Sequence, residues 1–204
     1  MTGIYLHGFA SSPASTKARA FAARFPGLLV PDLNDGGFER LTLSRVQAQV
    51  DALARGAGAD LVLFGSSLGG YSAALWQARH RRARGLVLLA PAFDLGARWR
   101  ARERLAVGAD GRARVFHFGL GREVPFDEVD FLADAALYEP FPCVEAPVLV
   151  LHGIRDDVVP VALAREFCAR TPSARLVEYD AGHELAEVVP ALLAETAGFL
   201  EGLR

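Results

Sequence analysis

Lysine is almost absent from this sequence, since Lys17 is the only one among 22 basic residues. The others are arginines, and 24 acidic residues leave a formal net charge of only −2. Such a balance gives no indication of a nucleic acid or an anionic membrane as partner. We interpret the arginine bias first as genomic composition and second as a device for thermal stability.

Cysteine is also scarce, and long apolar runs are missing. Cys143 and Cys168 stand alone, which fits neither a disulfide framework nor a zinc site, and we expect both to be buried structural thiols. No apolar run approaches the ~18 residues of a membrane-spanning helix. The chain starts with a strand-like run, Ile4 to Gly8, instead of the basic and apolar regions of a signal peptide. We therefore expect a cytosolic protein without a membrane span.

Hydrophobic residues, by contrast, make up 51% of the 204 residues, enough for the core of one domain. They form short continuous runs, which are typical of strands buried on both faces. Amphipathic stretches lie between the runs, and this alternation predicts an α/β protein: a mostly parallel sheet of about six strands with helices on both faces. The predicted strands are 4–6, 28–30, 61–64, 86–89, 148–151 and 176–177, and the predicted helices are 15–24, 40–55, 68–80, 161–170 and 187–201.

One segment, residues 93–145, interrupts the alternation. It holds an arginine-rich helical stretch at 98–104, a predicted turn at Asp110-Gly111 and a predicted helix near 128–138. An insertion after a strand, on the edge that carries active-site loops, is where a cap or lid is expected. We therefore predict a single domain, 1–204, with a cap insertion at 93–145.

The motif with the most chemical content is G-x-S-x-G, at Gly65-Ser66-Ser67-Leu68-Gly69. An apolar run precedes it and a helical run follows it, which is the strand–turn–helix context of a nucleophile elbow. The sharp turn pushes its serine outward in a strained conformation, and the glycines Gly65 and Gly69 avoid a clash. We predict Ser67 as the nucleophile, because Ser66 would need glycines where Phe64 and Leu68 stand.

A serine hydroxyl needs a general base, and hydrolases with this elbow carry serine, acid and histidine in that order. Asp156 and Asp157 follow a predicted strand, where the acid is expected. His183 lies in the loop before the last helix and is the only one of five histidines that follows them. The residues alone leave open which aspartate orients the histidine, and whether one or both cap the helix near Val161.

The loop after the first strand provides a fourth element, Leu6-His7-Gly8-Phe9. Acyl transfer needs hydrogen-bond donors aimed at the developing oxyanion, and the backbone N–H groups of Phe9 and Leu68 are the candidates. Gly8 allows a close approach of the backbone. We expect His7 to stabilise this loop and not to transfer protons.

These motifs resemble the α/β-hydrolase superfamily and, within it, the small bacterial esterases of the YqiA-like family. The pattern H-G-x-x-D-x-V-V-P of these relatives points to Asp156 as the acid. The resemblance implies a compact α/β-hydrolase fold with a short cap and without the first one or two strands of the sheet. It also implies a small-molecule acyl ester or thioester as substrate, with no metal and no cofactor. The matching segments are Tyr5 to Phe9 with Ser11-Ser12-Pro13, Gly65 to Gly70, His152 to Pro160, and Gly182 to Leu185.

Substrate contacts are expected from the cap, whose arginine-rich stretch is its least family-like part. The candidates are Trp99, Phe116 and Arg98. Aromatic side chains could line an acyl pocket, although packing of the cap on the core is their more common role. Arginines could bind an anionic leaving group or form a solvated helix face. Two other functions stay open: a non-catalytic ligand-binding protein, and a hydrolase of peptide or carbon–carbon bonds. The aromatic candidates for the acyl pocket are Phe9, Phe93, Trp99, Phe116, Phe118 and Phe126, and the arginine candidates for the leaving group are Arg98, Arg102 and Arg104.

Overall fold

A six-stranded sheet forms the centre of the computed structural model, which describes residues 2–102 and 105–203. Its strand order is β2-β1-β3-β4-β7-β8, and every neighbouring pair is parallel. This confirms the predicted parallel sheet. Two further strands, β5 and β6, form a separate antiparallel hairpin. The strands are β1 (Thr2–Leu6), β2 (Leu28–Leu29), β3 (Leu61–Ser66), β4 (Gly85–Leu89), β5 (Ala113–His117), β6 (Arg122–Phe126), β7 (Val148–Gly153) and β8 (Ala174–Tyr179).

Helices cover both faces of the sheet. Alternate residues of each inner strand point to opposite faces, so that Leu63 belongs to one apolar cluster and Val62 to the other. Residues of α2, α3 and α6 join the first cluster, and residues of α1 and α7 join the second. The helices are α1 (Thr16–Arg24), α2 (Leu43–Ala54), α3 (Leu68–His80), α4 (Leu95–Ala101), α5 (Glu128–Ala135), α6 (Val161–Arg170) and α7 (Val189–Gly202).

Burial on both faces holds for the inner strands only. Every residue of β3, β4 and β7 is buried, whereas Leu29 of β2 is 47% exposed and β8 has no fully buried residue. The prediction of full burial was therefore wrong for the two edge strands, which have a neighbouring strand on one side only. The continuous apolar pattern at 28–30 does not distinguish an edge from a centre.

The segment 93–145, which we call the cap segment, lies between β4 and β7 in the chain. It consists of α4, the β5–β6 hairpin and α5. The Phe9 ring lies at centroid distances of 5.0 Å from Trp99 and 5.1 Å from Phe126, so the cap packs on the loop after β1. The predicted arginine-rich helix ends at Ala101, and Arg104 lies outside the described residues.

Cys143 is exposed and Cys168 partly so, and both are free thiols, so the prediction of burial was wrong for Cys143. Among the described residues, no helix combines the length and apolar character needed to cross a membrane.

Candidate active site

The turn between β3 and α3 places Ser67 in a strained conformation, with φ +52° and ψ −117°. Two glycines make this turn sterically possible. A Cβ on Gly65 would lie 2.3 Å from the carbonyl oxygen of Gly69, and one on Gly69 would lie 2.1 Å from the carbonyl oxygen of Leu6. The Ser67 amide donates to the carbonyl of Leu89 at 2.8 Å, which ties the turn to β4.

Three loops at the carboxyl ends of parallel strands bring Ser67, His183 and Asp156 together. The distance from His183 Nε2 to Ser67 Oγ is 3.1 Å, and that from His183 Nδ1 to Asp156 Oδ2 is 2.7 Å. Asp157, the alternative acid, is exposed. The arrangement therefore connects a hydroxyl, an imidazole and a buried carboxylate in one hydrogen-bonded line.

Hydrogen bonds surround the Asp156 carboxylate. Its Oδ1 accepts from the amides of Val158 at 2.9 Å and Val159 at 2.7 Å, and its Oδ2 lies 3.2 Å from His152 Nε2. Burial by itself would raise the pKa of Asp156, but the hydrogen bonds from His152, His183 and Val159 outweigh it and hold that pKa well below its usual range. The carboxylate is thus ionised across the neutral range. In the described chain α6 has no side-chain cap, so Asp156 holds its own loop and not the helix start.

His152 is fully buried behind this carboxylate. Its Nε2 also lies 2.8 Å from the carbonyl oxygen of Val159. The tautomer that fits these two contacts carries its proton on Nε2. This Nε2–H can donate to Asp156 Oδ2 and to the carbonyl oxygen of Val159, while Nδ1 keeps its lone pair. His152 therefore supports the loop that carries Asp156.

The loop after β1 is held by His7, which is 1% exposed. Its Nδ1 donates to the carbonyl of Gly8 at 2.9 Å, and its Nε2 accepts from the amide of Leu33 at 3.0 Å. Burial lowers the pKa of His7, which favours this neutral form. A Cβ on Gly8 would lie 3.4 Å from the Ser67 Cβ, so this loop passes directly beside the turn between β3 and α3.

The two backbone amides expected at an oxyanion hole belong to Phe9 and Leu68, which directly follow the neighbouring residues Gly8 and Ser67. Leu68 is the first residue of α3, where helical N–H groups have no intrahelical acceptor. Phe9 follows Gly8 on the neighbouring loop. The start of a helix also favours negative charge.

A cleft of about 640 Å³ opens at Ser67 and His183. Part of its lining is apolar and comes from the hairpin and the loop that carries Asp156, where Phe116 is 49%, Phe118 73% and Val158 53% exposed. The Phe118 amide donates to the carbonyl of Ala10 at 2.8 Å, which fixes the hairpin to the loop after β1. The lining also includes small hydroxyl side chains and an ion pair, namely Ser11, Ser12, Ser15, Thr16, Lys17 and Glu184.

Of the three expected substrate contacts, Phe116 lines this cleft, whereas Trp99 and Arg98 are not among its lining residues. The Trp99 indole packs among cap aromatics and donates to Glu128 Oε1 at 2.7 Å. The Arg98 guanidinium donates to the carbonyl of Val158 in the acid loop. Both side chains thus serve the packing of the cap.

Sequence reasoning missed Lys17 as a residue of the site. Its side chain is only 8% exposed, and its Nζ lies 3.3 Å from Glu184 Oε2. The helical period does indicate that Lys17 lies on the buried face of α1, because Ala18 and Phe21 face the core and Lys17 stands four residues before Phe21. The residue was missed because charged side chains are expected to stay in solvent.

Within 2–102 and 105–203, no group of three or more His, Cys, Asp or Glu side chains is arranged to hold a metal ion.

Comparisons with known proteins agree with this fold. The sequence profile of UPF0227, described as an uncharacterised protein family, matches residues 2–197. A 3-hydroxybutyrate-oligomer hydrolase of Cupriavidus necator is 33% identical over 100 residues, which are 47% of this chain and 34% of that protein. The match therefore spans about a third of the length of that relative.

Solved structures of low sequence identity share the fold. Alpha/beta hydrolase domain-containing protein 10 from mouse superposes with a TM-score of 0.82 at 18% identity, covering 100% of this chain and 90% of that one. Est1E from Butyrivibrio proteoclasticus gives 0.79 at 19% identity, covering 99% and 87%. A putative hydrolase of the alpha/beta superfamily from Xanthomonas campestris gives 0.64 at 24% identity, covering 99% of both chains. The α/β-hydrolase fold and the family resemblance predicted from the motifs are confirmed.

Proposed function

This chain belongs to the UPF0227 family, and from that premise we propose that it is a serine hydrolase that cleaves acyl esters or thioesters. The observation that carries the proposal is the line of two hydrogen bonds from Ser67 Oγ through His183 to Asp156. A hydroxyl, a base and a buried acid in this order form the catalytic triad of acyl-transfer enzymes.

In the first half of the reaction, His183 Nε2 accepts the Ser67 proton while Oγ attacks the carbonyl carbon of the substrate. Asp156 accepts a hydrogen bond from Nδ1–H, which keeps the imidazole in the tautomer that has a free lone pair on Nε2. Because this carboxylate stays ionised at neutral pH, it also stabilises the imidazolium that forms.

The tetrahedral intermediate carries its charge on the former carbonyl oxygen. The amides of Phe9 and Leu68 donate to that oxygen, and the N-terminal end of α3 adds a favourable field. The intermediate collapses when His183 returns the proton to the leaving alcohol or thiol, which leaves an acyl group on Ser67.

In the second half, His183 removes a proton from water, which attacks the acyl-enzyme. A second tetrahedral intermediate forms on the same two amides. As it collapses, His183 returns its proton to Ser67 Oγ, which releases the carboxylic acid and restores the serine hydroxyl.

The cleft favours an ester with an apolar group. Phe116, Phe118 and Val158 offer exposed apolar surface beside the proposed nucleophile, and burying it against an acyl or aryl group would stabilise the bound substrate. The relative from Cupriavidus necator is named for hydrolysis of a hydroxy-acid oligomer, which supports ester cleavage. In this view residues 93–145 form the cap of a single domain.

Hydrolysis of p-nitrophenyl esters from acetate to decanoate tests the proposal, with wild type and Ser67→Ala measured side by side. We expect ester turnover by the wild type and a loss of about 10⁴-fold or more in the variant. Near-normal rates in Ser67→Ala would refute the assignment. An inactive wild type that also resists a fluorophosphonate probe would indicate a non-catalytic binding protein.

A further inference from the structure

The proposed mechanism does not explain the position of Lys17, the only lysine of the chain. Lys17 lies in α1, yet its side chain is 8% exposed and lines the cleft beside His183. Charged side chains are seldom buried to this extent. In a chain whose other Lys or Arg residues are all arginines, this buried position holds a compact ammonium on an unbranched stem.

The contacts of the ammonium lead to the histidine loop. Lys17 Nζ lies 3.3 Å from Glu184 Oε2 and 3.5 Å from the carbonyl oxygen of His183. These contacts connect the first turn of α1 to the residue that would act as base and to the residue after it. At the other end of the loop, Arg155 holds Asp180 through a bond of 2.6 Å.

Stability does not account for this burial. Desolvation lowers the pKa of Lys17, and the pairing with Glu184 opposes that shift only in part. A lysine with a lowered pKa in the folded state is destabilising wherever it is charged, and the loss is recovered only as the pH rises through that pKa. The Glu184 side chain is 76% exposed, and ion pairs with an exposed partner contribute little.

We propose that Lys17 is a positioning residue for His183, and that its charge, balanced by Glu184, sets the lowest pH at which the enzyme works. The base must be uncharged to accept the serine proton. A nearby cation disfavours protonation of the imidazole, and a nearby carboxylate favours it. This inference rests on the proposed function. Among the described residues, the polar or charged groups that contact or interact with His183, its acid or its loop include Ser67, Asp156, His152, Arg98, Lys17 and Glu184.

A double-mutant cycle tests the inference, with kcat/KM measured from pH 5 to 9 on an uncharged short-chain ester. In Lys17→Met the acid-side midpoint should move up by about half a pH unit, because loss of the positive charge makes protonation of the base easier. In Glu184→Gln it should move down by a similar amount. The double variant should return close to the wild-type midpoint.

Two controls separate this role from a structural one. Glu195→Gln removes the carboxylate of an exposed pair with Arg175 and should leave the midpoint unchanged. The Tm of Lys17→Met should equal or exceed that of the wild type, because an apolar stem replaces a buried charge. A large loss of Tm that accompanies the change in activity would overturn the inference.

The outcomes also separate this inference from the proposed function. Acid-side midpoints that stay fixed in both single variants, or move in the same direction, would overturn the role of Lys17 while the enzyme stays active. The labelling rate of Ser67 by a fluorophosphonate gives the same profile without substrate turnover. A wild type that is neither active nor labelled would contradict the proposed function and the inference together.

Discussion

At the scale of single residues, Asp156 and Asp157 show that a shift of one position in a loop changes both the burial and the contacts of a side chain. Both are aspartates on the same strand end, but Asp156 is 8% exposed and contacts His183, whereas Asp157 is exposed to solvent. The pattern of the motif predicts Asp156 as the acid. The physical reason is the inward turn of the loop, which the amides of Val158 and Val159 stabilise on one carboxylate oxygen.

Substitution of the two aspartates should separate their roles. Asp156→Asn should lower kcat by about 10³–10⁴-fold, because the amide would select the wrong tautomer of His183. Asp157→Asn is the matched control, and its kcat should stay within about twofold of the wild type. The measurement is steady-state hydrolysis of one ester at neutral pH. Equal losses in both variants would contradict the assignment of the acid.

The two thiols should differ in reactivity. Burial raises the pKa of Cys168 to about 11, so its thiolate fraction at pH 8 should be about 100-fold below that of an ordinary cysteine. Cys143 is exposed and should give the fast phase with a disulfide reagent such as DTNB. Cys143→Ser should remove that phase, and a fast phase that persists in this variant would contradict the described burial.

At the scale of the elements, the turn between β3 and α3 combines a local pattern with a contact between distant segments. The G-x-S-x-G motif predicted the turn between β3 and α3, because the strand, the turn and the helix are all local in sequence. The approach of Gly69 to Leu6 involves β1 and was not readable from the motif. The hairpin β5–β6 was missed for a different reason, because its strands are short and rich in charged residues.

Alanine at the elbow should destabilise the fold. In Gly65→Ala the new Cβ would meet the backbone of Gly69 at 2.3 Å, and we expect a loss of about 2–4 kcal/mol in the free energy of unfolding. Gly198→Ala is the control, because its Cβ would have no neighbour within 4 Å in α7 and should gain up to about 1 kcal/mol. Urea unfolding followed by circular dichroism measures both. A stable Gly65→Ala protein would show that the turn is looser than described.

The hairpin should determine which acyl groups fit. Phe118→Ala removes a ring that is 73% exposed at the cleft, and we expect kcat/KM for octanoate esters to fall about 5- to 20-fold while acetate esters change little. Val129→Ala, which alters an exposed cap residue of α5, should leave both rates unchanged. A uniform loss across all chain lengths in Phe118→Ala would instead assign the ring to the packing of the cap.

At the scale of the whole molecule, the sequence predicted the layers but not their arrangement. Apolar runs and helical periods located six strands and the helices between them, since each signal lies within one segment. The order β2-β1-β3-β4-β7-β8 depends on pairing between segments far apart in the chain. The burial of Lys17 also depends on such a pairing, because α1 meets the histidine loop 166 residues later.

The central claim is that Ser67 is activated for covalent chemistry by His183, and identification of the labelled residue tests it most directly. The protein would be treated with a fluorophosphonate, digested and sequenced by tandem mass spectrometry, so that Ser66 and Ser67 are distinguished. We predict a single adduct on Ser67, absent from Ser67→Ala and strongly slowed in His183→Ala. An adduct on Ser66, or no adduct on a folded wild-type protein, would contradict the account.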